Sequence, residues 1–141
     1  DIIPEKIFLN IELKGENTAY ETNKIIIKYL SESNLTPSKF IISSFRWDEL
    51  KKFRNVNKDV PIAILVDSLY KIDKAIKLAK EINALSLNPN NEFITNQIVK
   101  KIQSNNIRVY PYTINTPDNI NRMKSMGVDA IITDFPERIN K

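Results

Sequence analysis

The chain contains no cysteine and no histidine. Without cysteine there can be no disulfide and no thiolate metal site, and the redox compartment stays open. Without histidine, hydrolytic chemistry must manage without imidazole or draw it from another polypeptide. No apolar run reaches membrane-spanning length, so no transmembrane segment is expected. No tract of five or more basic residues occurs either. Twenty-one Lys and Arg against seventeen Asp and Glu leave a scattered excess of +4. That balance suits anionic ligands, and no nucleic-acid motif accompanies it. No low-complexity linker divides the 141 residues, and 42 % of them are hydrophobic, enough for one core; residues 1–141 are expected to form a single domain. The first residue is Asp1 and not Met, so an upstream segment is expected to have been removed.

What is present alternates between two periods. Ile7, Leu9, Ile11 and Leu13 occupy one side of an extended segment, with Phe8, Asn10, Glu12 and Lys14 on the other, and Gly15 stops it. A carboxylate and an ammonium thus leave one face of this strand about 7 Å apart, where they could hold a cation and an anion side by side or simply face water. Residues 18–33 read as a helix with Ile25, Ile26, Tyr29 and Leu30 at helical spacing and Thr18 or Thr22 as cap. Residues 40–45 form a short apolar run, read as a buried strand. Trp47, Leu50 and Phe53 recur at core spacing on a helix over 46–55.

Further strands are expected over 61–66, 84–88, 107–115 and 128–133, with helices over 69–82, 92–103 and from Thr116-Pro117-Asp118 to Gly127. Pro111 should interrupt pairing in its strand. Strand–helix alternation of this kind specifies an α/β protein with parallel strands. It fits a doubly wound sheet or part of an eight-stranded βα barrel. In both, ligands bind at the C-terminal ends of the strands, which here carry Glu12, Lys14, Ser44, Asp67, Asn88, Asn115 and Asp134. A receiver-like domain would want paired acids after its first strand, and Leu13-Lys14-Gly15 offers none.

Five motifs in order narrow the choice. Leu9-Asn10-Ile11-Glu12-Leu13-Lys14, Ile42-Ser43-Ser44-Phe45, Leu87-Asn88-Pro89, Tyr112-Thr113-Ile114-Asn115 and Gly127 through Pro136 together resemble the glycerophosphodiester phosphodiesterase family. The resemblance implies parallel βα repeats forming the C-terminal portion of a TIM-type (β/α)8 barrel. It also implies metal-dependent hydrolysis of glycerophosphodiesters to an alcohol and glycerol 3-phosphate. On that resemblance Glu12 ligates a divalent cation, Mg²⁺ or Ca²⁺, Lys14 lies near the substrate phosphate, and Tyr112 lines the site where the family carries Trp. Ser44 and Phe45 are expected to pack beneath the site, Asp134 to fix the closing turn, and Trp47 and Phe53 to enter the core.

The family's HRG, E.D and HD motifs do not occur in the chain. The catalytic His pair is therefore expected upstream, with no catalytic residue among these 141. A companion N-terminal polypeptide or a homodimer is expected to complete the barrel. The alternative is a non-enzymatic family remnant serving as a binding or interaction module.

Overall fold

The computed structural model describes residues 7–139, and the chain divides into two compact units, Asp1–Ile64 and Leu65–Lys141. Among the described residues five strands alternate with five α-helices: β1 Leu9–Glu12, α1 Thr18–Glu32, β2 Phe40–Ser44, α2 Trp47–Val56, β3 Ile62–Val66, α3 Ile72–Glu81, β4 Ser86–Pro89, α4 Asn96–Gln103, β5 Arg108–Val109 and α5 Pro117–Met126. The boundary between the units falls inside β3.

In the first unit β1 runs parallel to β2, with Leu9, Ile11 and Glu12 opposite Phe40, Ile42 and Ser43. β2 runs parallel to β3, with Ser43 opposite Ala63 and Ser44 opposite Ile64. Alternation then assigns each residue a face. Leu13, Ile42, Ile62 and Ile64 share one face and are buried, as are Ala19 and Ile26 of α1 and Leu50 and Phe53 of α2. Each such large aliphatic or aromatic side chain contributes about 1.5–3 kcal/mol by leaving water.

The expected face of α1 is only partly right. The buried stripe is Ala19, Asn23 and Ile26, while Ile25 and Tyr29, one position off it, remain 62 % and 43 % exposed. Of the predicted core pair in α2, Phe53 is fully buried and Trp47 half-buried. Trp47 opens the helix, where only part of a ring is covered.

In the second unit β4 pairs parallel with β5, Ser86 opposite Arg108 and Leu87 opposite Val109. Its helices bury Ile72, Ala75, Ile76 and Ala79 (α3), Val99 and Ile102 (α4), and Ile120 and Met123 (α5). The helix expected over 92–103 begins only at Asn96, because the Thr95 hydroxyl caps it by accepting from the Ile98 N–H at 3.3 Å. The start and stop read for α5 hold. Thr116 Oγ1 accepts from the Asn119 N–H, Pro117 occupies the first turn, and Gly127 closes the helix at φ 69°.

β5 is shorter than the apolar run 107–115 suggested, yet contact with β4 continues past Pro111: the Tyr110 and Tyr112 N–H groups on either side of it donate to Leu87 O and Pro89 O, each at 3.0 Å. Residues 128–133 do not form a regular strand. Ile114 N–H still donates to Ile132 O (2.8 Å) and Ile132 N–H to Pro111 O (2.9 Å). The Val109 N–H, however, goes to the Asp129 carboxylate at 2.9 Å, a side chain standing where a ladder carbonyl would be.

Candidate functional site

Glu12 ends β1, and Lys14 follows one residue later. Between them Leu13 is 2 % exposed, and both of its backbone groups are held: its N–H donates to Ser43 O at 2.8 Å, and its carbonyl accepts from Ser44 Oγ at 2.6 Å. Ser44 Oγ in turn accepts from the Arg46 N–H at 2.8 Å. Ser44 is fully buried, as expected, and it also holds this strand end by hydrogen bonds. Phe45, expected to pack there, is 44 % exposed.

With Leu13 anchored, its two neighbours project from the opposite face. Lys14 Nζ lies 3.8 Å from Glu12 Oε2, the ammonium side chain 79 % and the carboxylate side chain 33 % exposed. A pair this open contributes little to stability, which leaves both charges available to a ligand.

The same face of β2 holds Ser43, which sequence reasoning passed over as part of a motif. It is 1 % exposed, and its hydroxyl makes no hydrogen bond. The sequence carried only part of the signal. Two adjacent serines in an apolar strand must send their hydroxyls to opposite faces, and one backbone carbonyl accounts for only one of them.

In the second unit Tyr112 is half-buried and firmly held. Its N–H donates to Pro89 O at 3.0 Å, and its hydroxyl donates to Val66 O at 3.2 Å. Its carbonyl accepts from the Asn91 N–H at 2.8 Å, and the Asn91 amide also reaches Thr113 O at 3.2 Å. The hydroxyl gives a physical reason for Tyr here, since it bonds to the end of β3.

Other strand ends are locally paired. Asp67 binds Lys71 at 2.7 Å, and the Lys71 hydrogen bond, working against partial burial, lowers the carboxyl below its usual range. Asn115 Nδ2 donates to Asp134 Oδ2 at 2.8 Å and its Oδ1 accepts from the Asp134 N–H, so Asp134 fixes the closing turn as expected. Ser86 donates to Asn88 Oδ1 at 2.8 Å, both buried. Two cavities in this unit, of about 420 and 320 Å³, are lined from α5 and the segment after it and do not include Tyr112.

Among the described residues no three His, Cys, Asp or Glu side chains converge as a metal site would require. Glu12 is one hard oxygen donor, and the described residues do not by themselves complete a cation shell.

Residues 5–138 match the glycerophosphoryl diester phosphodiesterase family. The chain belongs to this family. It is 30 % identical over 141 residues to a glycerophosphodiester phosphodiesterase of Caldanaerobacter subterraneus, covering 99 % of this chain and 57 % of that protein. Among solved structures it resembles a phosphodiesterase of Oleispira antarctica in complex with sn-glycerol-3-phosphate (TM-score 0.76, 22 % identity, 94 % of this chain and 53 % of that one). It also resembles a glycerophosphodiester phosphodiesterase of Parabacteroides distasonis (TM-score 0.76, 22 % identity, 96 % and 57 %). The parallel βα repeats are those of this family's TIM-type barrel. The chain spans about half the length of the relatives it matches. No helix among the described residues is long and apolar enough to cross a membrane.

Proposed function

We propose that this chain supplies the Glu12 and Lys14 part of a glycerophosphodiester phosphodiesterase site, which releases an alcohol and glycerol 3-phosphate. The observation that carries the reading is the anchored Leu13. Both its backbone groups are bonded, so the residues that carry the family motif's carboxylate and ammonium are held on one face, open to a ligand. Lys14, a compact charge, would meet a non-bridging phosphoryl oxygen and offset the negative charge that develops there. Glu12 would furnish one oxygen to a divalent cation, Mg²⁺ or Ca²⁺, the remaining donors coming from outside the described residues. Such a cation, when bound, polarises the phosphoryl oxygens. Tyr112, fixed by its hydroxyl and carbonyl, would offer its ring to the glycerol or the leaving alcohol.

The proposed reaction also needs a general acid and base, and the chain has no His. That group, and the rest of the barrel, would come from the half of the family domain this chain does not span. The source would be residues joined to it or a companion polypeptide, since a second copy of this chain brings no His either. These 141 residues alone would therefore be a single but incomplete barrel domain, inactive as a hydrolase.

Two measurements check this. Intact mass under denaturing conditions identifies every polypeptide in the natural protein. A glycerophosphodiester assay with Mg²⁺ or Ca²⁺ then compares the natural protein with residues 1–141 alone. Hydrolysis by the former and none by the latter is expected; equal hydrolysis by residues 1–141 alone contradicts the reading.

A further inference from the structure

Among the described residues of this face, Ser43 is the one place where the fold has put a hydroxyl out of water without giving it a partner. Its Oγ is buried and unbonded, whereas Ser44 beside it makes two hydrogen bonds. A buried hydroxyl left unsatisfied is unfavourable, and native proteins rarely keep one without use. Its direct cross-strand neighbour on β1 is Glu12, and residues paired in this way point to the same face. Side chains so paired stand about 5 Å apart at Cβ, within reach of a serine hydroxyl and a glutamate carboxylate. On its other side Ser43 faces Ala63, which has no polar atom to offer. Glu12 has its second oxygen 3.8 Å from an exposed lysine, a contact loose enough to exchange.

We propose that Ser43 is a positioning residue for Glu12. Once Glu12 turns from its pair with Lys14, the Ser43 hydroxyl donates to its carboxylate and fixes the rotamer in which that carboxylate faces the ligand, while Lys14 is released to the phosphate. This deepens the reading of Glu12 and Lys14 as site residues and rests on it. Ser43 touches no substrate. It holds one oxygen of Glu12 so that the other is presented in a single direction, which a flexible glutamate on a strand end would not otherwise do.

The test is a thermal double-mutant cycle on the full natural protein with Ser43→Ala, Glu12→Ala and both. If the hydroxyl serves Glu12, Ser43→Ala lowers Tm by roughly 3 °C. In the Glu12→Ala background the same change raises Tm, because there it removes an orphan. The Glu12 side-chain carboxylate ¹³C resonance, read at neutral pH, moves in Ser43→Ala and returns in Ser43→Thr. Ser43→Cys, nearly isosteric and a weak donor, falls between wild type and alanine, and it serves if alanine leaves too little folded protein.

A Tm that rises or stays level in Ser43→Ala, or falls equally with and without Glu12, overturns the proposal, as does an unmoved carboxylate resonance. The cycle reads the hydrogen bond without reference to hydrolysis. A failure of the phosphodiesterase reading shows instead in the rate of Glu12→Gln, so the two failures are distinguishable.

Discussion

Helices α1 and α5 face the same requirement, four backbone N–H groups at the first turn with no partner inside the helix, and meet it by opposite means. α5 is capped from its own sequence: Thr116 accepts from the Asn119 N–H, and Pro117 removes one donor altogether. α1 has no side-chain cap of its own. Its start is held by a carboxylate thirty residues away, Glu49 of α2, which accepts from the Asn17 N–H and the Ala19 N–H, each at 3.0 Å. Lys52 closes the arrangement at 2.7 Å. The local cap needs only its own segment, whereas the distant one exists only once α1 and α2 have packed. The helix just after Glu12 and Lys14 thus begins through tertiary structure.

The largest expected effect breaks the distant cap. Glu49 is fully buried, so Glu49→Ala removes the acceptor for two amides and the nearest partner of the Lys52 ammonium. A loss of about 3 kcal/mol is expected in denaturant unfolding. A loss below that from Thr116→Ala would show that the distant cap is dispensable.

Acid tests the same cap without mutation. Burial pushes the Glu49 carboxyl up, but the Lys52 hydrogen bond, the Ala19 and Asn17 amides and the Lys52 charge together bring it down to about 2 from an ordinary 4.5. A carboxyl depressed in the folded state stabilises above its unfolded value and ceases to as pH falls through its folded value. Stability should therefore decline between about pH 4.5 and 2, with that part of the decline absent in Glu49→Gln.

Smaller effects come from the local cap. Thr116→Ala should cost about 1 kcal/mol. Gly127→Ala should cost a similar amount, because φ 69° is strained for alanine although open space surrounds the new Cβ. The smallest expected change is in Lys14→Ala, under about 0.5 kcal/mol, since its pair with Glu12 is exposed. A large loss there would mean that Lys14 belongs to the fold.

This contrast also accounts for what could be read from the residues alone. The cap and stop of α5 follow from Thr116, Pro117 and Gly127 because their physics lies within a few residues. The cap of α1 could not be found that way: Thr18 and Thr22 are plausible on local chemistry, and neither caps because Glu49 arrives from another helix. A trace of it lay in α2, where an acid sits four residues before Phe53 on the buried stripe. The irregular segment 128–133 was missed for a related reason, the Asp129 side chain displacing a backbone partner. At the candidate site, alternation assigned Glu12 and Lys14 to one face and the family motif gave them a meaning. Ser43 became visible only when burial and strand register were known together.

The most direct measurement is the rate at which the full natural protein releases glycerol 3-phosphate from a glycerophosphodiester, wild type against Glu12→Gln, with folding verified by unchanged melting. The account predicts a fall of about 10²-fold or more at unchanged stability. An unchanged rate in folded Glu12→Gln protein would contradict it and remove the end of β1 from the chemistry.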